Sequence, residues 1–484
     1  MSSGEGTPAT PEQPFEGLAR LHDHLFEADA SMVRVPSGAI GGAPPESLAG
    51  IHLVRETALG ALVDLRRGRP DRAAAALERV LDQQYPLSEV AWAGTFRTTA
   101  QDPEPPADGA AYVHYDPNWR QFLGAILAFA LDHHDADLPS GLTDRMTTAV
   151  ERCVRGEPES RLEDWYTNPS LLHAWLTAWV GARLGDRTLL AAGEARRARM
   201  VARIEAAGDV DEYNSPTYDG IDLLAAGLWA AHPPTSGFEA SAEVVASAVG
   251  RRLSTLFHPG LGAICGPHVR AYGVDLRAYV SLAALWLTLA GADAAAILPS
   301  AIDERTSHVH DLYLLPLFES VADLVVPHLE LRPVDRARHH ERHDGDARAS
   351  SLLERRLALG AESGRRPTFS RNQYVPVTAH AADGPDDSNV VAVAIKAATA
   401  DDAVDAHLGE PSTVAADVTS AGPASVVVLT SHSPEITATS LRIGPVDIAL
   451  DRAPAAAEQR NLPSGTELHL TWDGPRVRLD VTVR

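Results

Sequence analysis

The sequence predicts an α+β chain in two parts, an (α/α) toroid of helical hairpins followed by a C-terminal antiparallel β-sandwich, and three observations point there. One arrangement is written four times before residue 330: a capping residue with polar and aromatic neighbours opens an almost wholly apolar helix. The strings are YDPNWRQFLGAILAFAL from Tyr115, WYTNPSLLHAWLTAWVGARLG from Trp165, EYNSPTYDGIDLLAAGLWAA from Glu212 and CGPHVRAYGVDLRAYVSLAALWLTLAG from Cys265. Two-faced helices alternate with them, such as DRAAAALERVLDQQ from Asp71, GLTDRMTTAVERCVRG from Gly141 and RTLLAAGEARRARMVARIEAAG from Arg187. Late in the chain the hydrophobic period changes to that of strands.

Residues 1–15, MSSGEGTPATPEQPF, hold neither a basic nor an apolar segment and read as a flexible tail rather than a signal peptide. Residues 16–330 form the toroid. A helix apolar on all sides must be buried and a two-faced one has a wet side, so the first kind builds an inner ring and the second an outer ring. The helix starts predicted at Asp116, Asn168 and Ser215 are spaced by about one hairpin each, a structural repeat without close sequence repetition. Five or six hairpins are expected, and a ring fits better than an open solenoid. Residues 331–365, opening RPVDRARHHERHDGDARA, read as a polar linker. Its His339, His340 and His343 have no acidic or cysteine partner spaced to complete a metal site. Residues 366–484 form the sandwich, from NVVAVAIKA, STVAADV, ASVVVLTS, SLRIGPVDIAL, TELHLTW and RVRLDVTV, which are β-branched and broken by Gly, Pro, Asn and Asp.

Composition limits function. With 484 residues and 45% hydrophobic content the chain can bury two cores. A net charge of −23 argues against nucleic acid. It also disfavours polyanions at long range, although arginines focused in a cleft reverse the local potential. No stretch approaches the roughly 20 apolar residues of a membrane span. Cys153 and Cys265 make neither a disulfide framework nor a metal spacing. The expectation is a cytoplasmic protein without cofactor or metal, its oligomeric state unreadable; Lys396 is the only lysine.

The four helix mouths carry the candidate chemistry. In the first, Asp116 reads as N-cap and Pro117 as the first helical residue, which leaves Asn118 and Trp119 on the opening turn. Trp119 suits either the core or the face of a sugar ring. Asn168, before Pro169, is a cap whose amide can also reach a ligand carboxylate or hydroxyl. His173, between Leu172 and Trp175, reads as a core histidine or a ligand contact. The third mouth is densest: Glu212, Tyr213, Asn214, Ser215, Tyr218, Asp219 and Asp222 exceed what a cap needs. Tyrosine acts as base and acid when cations lower its pKa, and a buried carboxyl becomes an acid when its pKa is raised, so Tyr213, Tyr218, Glu212 and Asp219 are catalytic candidates. The fourth supplies His268, Arg270 and Arg277, with Tyr272 and Asp275 between; Arg270 is either a partner of Asp275 or a clamp for a ligand carboxylate.

The order of these strings resembles that of the α/α-toroid polysaccharide lyases, the group of chondroitin AC and hyaluronate lyases, with more distant kinship to alginate and heparinase II/III-type lyases. In that group an Asn-Trp aromatic patch, a catalytic asparagine, a tyrosine segment and arginines follow in order, with a β-sandwich region after the toroid. The resemblance implies Trp119 as stacking patch, Asn168 as carboxylate neutraliser, Tyr218 as proton-transfer residue and Arg270 as subsite cation. The family places a histidine shortly before its tyrosine. GDVDEYNSPTY has none, so His173 or His268 would have to supply it from another helix.

The implied chemistry is metal-free β-elimination at a uronate of an oligosaccharide. Donors at Asn168, Arg270 and His268 neutralise the carboxylate, and Tyr218 takes the adjacent proton and passes it to the leaving oxygen. A competing reading is an inverting glycoside hydrolase on the same toroid, using two of Glu212, Asp219 and Asp275 about 6.5 to 9.5 Å apart. A glycan-binding protein without catalysis and a small-molecule isomerase or cyclase are the remaining alternatives.

Overall fold

Burial separates the two kinds of helix. In the computed structural model, which describes residues 14–37, 48–366, 373–384, 389–409, 412–462 and 465–484, the helices apolar all round are the inner ones. Most of the tail expected at 1–15 lies outside the described residues, but Pro14 and Phe15 open α1 (Pro14–Leu25). A short three-stranded sheet follows, Phe26–Glu27 (β1), Met32–Arg34 (β2) and His52–Leu53 (β3). Four hairpins come next: α2 (Val54–Arg66) with α3 (Pro70–Leu81), α4 (Trp119–His134) with α5 (Ser140–Arg155), α6 (Thr167–Leu184) with α7 (Arg187–Ala207), and α8 (Asp219–Ala231) with α9 (Ser236–Leu256). Every residue of α2 from Val54 to Leu65 is buried, whereas α7 buries only Gly193, Met200 and Ile204. Two glycines let α6 and α7 touch backbone to backbone. A Cβ on Gly181 would stand 2.3 Å from Leu190 N, and one on Gly193 would stand 2.5 Å from Ala178 N.

The ring closes. Each inner helix contacts the next, α2 to α4 to α6 to α8 to α10 (Leu282–Leu289), and a 3-10 turn, Val309–Leu314, with α12 (Leu315–Ser320) returns to α2. Across the seam Arg55 donates to Asp311 Oδ1 at 3.2 Å, Arg66 pairs with Glu319, and the ring of His22 meets Tyr313 edge-on. The last sector is not a long hairpin. It consists of α10, α11 (Ala294–Ile297), α12 and α13 (Ala322–Val325), and turn residues in GADAAAILPSAIDERTSHVHD stop α10 and α11 after one or two turns. The count is therefore four long hairpins plus this short-helix sector, against the five or six expected.

The fourth apolar string also departs from expectation. Past β4 (Phe257–His258) and β5 (Ala263–Ile264), residues 265–275 are irregular, with one bridge at His268, instead of opening a helix, and only Leu282–Leu289 is α-helical. The reason is tertiary. His268 and Val375 exchange two backbone hydrogen bonds at 2.9 Å, Ala271 N donates to Gln373 O at 2.8 Å, and Gly266 N donates to Thr378 Oγ1 at 3.0 Å. The segment is seated on the second part of the chain as an added strand would be.

That second part is a sandwich of antiparallel sheets. The larger has eight strands in the order Ala456–Leu462, Gly465–Thr471, Ser425–Thr430, Asn389–Ala397, Val377–Asp383, Leu357–Ser363, Ala347–Glu354 and Arg338–Asp344. The smaller has six, running Ala403–Gly409, Thr413–Thr419, Arg476–Val483, Val446–Leu450, Ser440–Ile443 and Glu435–Ile436. Leu359, Val377, Val391 and Val426 of one pack with Val414, Leu441, Ile448 and Leu479 of the other. The opposite face of the large sheet lies on the toroid, where Ala349, Leu353, Ala358, Ala382 and Val390 join the helical core. Both faces at the centre are thus buried, which is why NVVAVAIKA is a continuous apolar run rather than an alternating one.

The linker expected at 331–365 is the clearest correction. Three strands of the large sheet lie within it, Arg338–Asp344, Ala347–Glu354 and Leu357–Ser363, paired in register from Arg338↔Leu353 to Asp344↔Ala347 and from Arg348↔Ser363 to Glu354↔Leu357. RHHERHD hides its nature because it is an edge strand with no fully buried residue, and a solvated edge favours charge. His339, His340 and His343 sit on that edge.

Candidate active site

The segments ahead of α4, α6 and α8 and the non-helical run 265–275 meet at one mouth of the ring. Asn118 and Asn168 stand at the starts of α4 and α6, Tyr218 caps α8, and Asp219 opens it. The helices begin at Trp119, Thr167 and Asp219 rather than at Asp116, Asn168 and Ser215. Asp116 instead accepts the Asn118 backbone N–H at 2.8 Å, and Ser215 Oγ accepts the Tyr218 N–H at 3.0 Å, so both act one turn ahead of the helix.

At the centre is a buried carboxylate. Glu212 is 1% exposed; its Oε2 accepts from the Asn168 side-chain amide at 2.7 Å and backbone N–H at 3.2 Å, and its Oε1 accepts from Arg270 Nη1 at 2.6 Å. Arg270 Nε donates to Gln373 Oε1 at 2.8 Å, so the second domain helps hold the guanidinium. Burial alone would lower the Arg270 pKa, but Glu212 keeps it above the ordinary value. From this anchor the guanidinium lies 3.7 Å over the ring of Tyr218 and 5.6 Å over that of Tyr166. The Tyr218 and Tyr272 hydroxyls are 2.9 Å apart, and Tyr272 is 40% exposed. Burial raises the Tyr218 pKa well above its usual value, Tyr272 adds to this, and Arg270 opposes it.

The rest of the mouth surrounds that pair. Asn118 Nδ2 donates to the Tyr166 hydroxyl at 2.8 Å, and its Oδ1 accepts from Arg161 at 2.8 Å. Trp119 is half-buried, its indole N–H on Thr98 Oγ1 at 3.0 Å and the Arg55 guanidinium 5.1 Å from its ring centre. Asp116 has its carboxyl pKa raised by burial, against the pull of the Asn118 N–H and of Arg161, Arg55 and Arg270. A groove of about 470 Å³ opens beside it, lined by Thr98, Asp102, Tyr112, His114 and Tyr115. Opposite, the His308 ring stacks on Tyr272 with centroids 4.0 Å apart. Between toroid and sandwich, Tyr272, Asp275 and Tyr279 face Lys396, Ser431 and Glu467 across a cavity of about 120 Å³.

Several expected residues lie elsewhere. His268 is fully buried against the large sheet, its Nδ1 3.0 Å from Asn214 O, and burial lowers its pKa to about 3. His173 lies 3.4 Å from both the Gln121 amide and the Thr177 hydroxyl, its pKa lowered by burial to about 4. Neither reaches Tyr218 through any hydrogen bond. Asn214 is a backbone device: at φ 52°, a region asparagine tolerates, its amide donates to Cys265 O at 2.8 Å and Pro267 O at 2.7 Å. Tyr213 is fully buried beneath Arg342, whose guanidinium is 4.7 Å from its ring.

The three carboxylates expected for hydrolysis are likewise committed. Glu212 holds Arg270 and Asn168. Asp219 accepts from Arg252 at 2.7 Å and from Ser215 N at 3.1 Å, with its pKa raised by burial to about 6. Asp275 caps the turn at Leu276 and pairs with Arg277 at 3.1 Å, so Arg270 and Asp275 are not partners. Asn168, 1% exposed, spends its amide on Glu212 and does not face the groove as a free neutraliser.

Sequence reasoning missed Tyr166, Arg55, Arg161, His308, His310 and Asp311. Two signals were present: an Arg-Glu pair inside the apolar string LVRETALGALV, and the close spacing of HVHD at 308–311. His308, His310 and Asp311 are, among the described residues, the group whose side chains stand close enough together to hold a metal ion.

Residues 40–323 match the model of a family described as a domain of unknown function, DUF8769. The chain belongs to this family. The DUF8769 match spans most of the toroid and includes all four helix mouths. No curated protein matches the chain. Among solved structures, the chain is similar to a chondroitin AC lyase mutant from Streptomyces coelicolor A3, at 11% identity and TM-score 0.46, over 99% of this chain and 80% of that one. It is also similar to a heparinase III with methylated lysines, at 9% identity and TM-score 0.34, over 88% and 76%. A third is endoglucanase CelQ from Clostridium thermocellum complexed with cellotetraose, at 8% identity and TM-score 0.25, over 98% and 93%. Among the described residues no helix is long and apolar enough to cross a membrane.

Proposed function

We propose that this DUF8769 protein is a carbohydrate-active enzyme that cleaves an oligosaccharide by β-elimination at a uronate, with Tyr218 as the proton-transfer residue. The observation that carries this reading is the Tyr218–Tyr272 hydroxyl pair, 2.9 Å apart at the ring mouth, with the Arg270 guanidinium 3.7 Å over the Tyr218 ring. Arg270 is the feature that favours a phenolate, and Tyr272 is a hydrogen-bond partner able to take or return a proton. In the reaction Tyr218, as phenolate, removes the proton next to the uronate carboxylate. The C–H electrons become the new carbon–carbon double bond, the bond to the leaving oxygen breaks, and that oxygen takes the proton back from Tyr218. No water is consumed.

Asn168 and Glu212 act in this scheme as positioning residues: the carboxylate fixes Arg270, and the amide fixes the carboxylate. Trp119, Tyr166 and the exposed Tyr112 offer aromatic faces to sugar rings. Inverting hydrolysis is supported by one group, Asp116, whose raised pKa suits a general acid. Incubation with uronate-containing and neutral oligosaccharides, followed by ultraviolet absorbance and product mass together, separates the readings. An absorbing product with no added mass supports elimination. Products heavier by one water refute it in favour of hydrolysis, and saturable binding with no product refutes both in favour of a glycan-binding protein.

A further inference from the structure

We infer that His308, His310 and Asp311 form a binding site for a divalent transition-metal ion of the zinc type at the mouth of the toroid. The expectation from sequence was no metal, drawn from the spacing of Cys153 and Cys265 and from the histidines at 339, 340 and 343; the cluster lies elsewhere, on the 3-10 turn that closes the ring. One ligand atom from each of the three side chains lies within 4.8 Å of the other two. His308 Nδ1 is 3.8 Å from Asp311 Oδ2, and His310 Nε2 is 3.8 Å from Asp311 Oδ1. Bonds of about 2.0–2.2 Å in a tetrahedral site put ligand atoms roughly 3.3 Å apart, so small side-chain rotations suffice to close the site.

The second observation is unspent hydrogen-bonding capacity. His308 Nδ1, the nitrogen nearest Asp311 Oδ2, is a buried atom without a hydrogen-bond partner among the described residues. Such an atom calls for an occupant, and two imidazoles beside a carboxylate form a donor set that zinc accepts.

Charge permits it. Arg55 is the neighbouring cation, but its Nε and Nη2 donate to Glu56 Oε1 at 2.8 and 2.5 Å, and it touches only Oδ1 of Asp311, at 3.2 Å. Asp311 Oδ2 is left for the metal. With neutral imidazoles the group of Arg55, Glu56 and Asp311 carries one net negative charge, which a divalent ion offsets. Asp311 is 6% exposed while both histidines are partly exposed, so the carboxylate is rigid and the metal can enter from the mouth. Three protein ligands leave an open coordination position. The site stands whether or not the uronate reading of the tyrosine pair holds.

The test is calorimetric titration of the chelator-treated full-length protein with Zn²⁺, alongside the visible spectrum after Co²⁺ is added in its place. One ion per chain and the intense visible bands of low-coordinate cobalt are expected. His308→Ala/His310→Ala should weaken Zn²⁺ binding by about 100-fold or more with an unchanged circular dichroism spectrum. His339→Ala/His343→Ala, on the exposed edge strand, should leave it unaltered. Absence of stoichiometric binding, undiminished binding in the 308/310 variant, or loss in the 339/343 variant each overturns the assignment. If the 308/310 variant fails to fold, His310→Gln with the cobalt spectrum decides: retained bands overturn it and lost bands support it.

Discussion

Removing the Glu212 carboxylate is the sharpest perturbation of the site that the structure allows. Glu212→Ala leaves three donors without their acceptor: the Asn168 amide, the Asn168 backbone N–H and Arg270 Nη1, at 2.7, 3.2 and 2.6 Å in the native protein. Both members of the ion pair are nearly solvent-free, Glu212 at 1% and Arg270 at 5% exposure, so water cannot take over. An unsatisfied buried donor costs about 1–3 kcal/mol, and breaking a buried ion pair from one side costs about 3–5 kcal/mol. The pair and the amide share one carboxylate, so these costs overlap, and a total of about 3–5 kcal/mol is expected, roughly 10²- to 10⁴-fold in the folding constant. Urea unfolding followed by tryptophan fluorescence measures it. The double variant Glu212→Leu/Arg270→Met should recover much of the loss, because it removes both buried charges together. A single-variant cost below about 1 kcal/mol, or a double-variant cost equal to the sum of the singles, would refute the claim that this pair anchors the site.

Four other outcomes follow from the same geometry. Tyr218→Phe should lower turnover by about 10²- to 10⁴-fold with folding intact, and a fully active Phe variant sinks the proton-transfer assignment. Burial raises the Tyr218 pKa, so on the proposed mechanism, with the phenolate as base, kcat/KM should rise with pH through the alkaline range; a profile that falls between pH 7 and 10 contradicts it. His268 and His173 are held near 3 and 4 by burial, against about 6.5 in an unfolded chain. Between these values the unfolded state binds protons that the native state refuses, so stability is complete above pH 6.5 and falls as pH drops towards 3. His173→Gln should lessen, with His268 still present, the fall of the urea midpoint measured from pH 7.5 to 4.5. Gly181→Ala drives a Cβ to 2.3 Å from Leu190 N, so α6 and α7 must separate; a thermal midpoint unchanged from the native protein would contradict their contact.

What the sequence discloses here depends on whether polarity alone identifies a position. The inner helices were legible because α4, α6 and α8 are apolar on every side, and such a helix has only one place to go. Glu212, Tyr218 and Arg270 were each legible as candidates, because the third and fourth strings concentrate polar residues that capping does not require, but the pairing of Glu212 with Arg270 was not. Three things were hidden. Residues 265–275 were read as the mouth of a fourth helix but are held out of helix by backbone bonds to Val375 and Gln373, about a hundred residues later, which no local pattern reports. The edge strand Arg338–Asp344 looked like a linker because a sheet edge and a linker favour the same charged residues.

The third concerns the direction in which a polar group points. Asn168 was expected to meet a substrate carboxylate, and in the structure it meets a carboxylate, that of Glu212. The resemblance implied that an amide donor and a guanidinium converge on negative charge, and the same contacts result whether the charge belongs to ligand or protein. The difference is decided by burial, which depends on how the sandwich closes over Arg270 through Gln373. Tyr218 and Tyr272 differ from Asn168 in this respect. Their hydroxyls bond to each other at the rim, and Tyr272 is 40% exposed, so this pair, unlike the asparagine, is open to a ligand, which is why the proposed proton transfer is assigned to it.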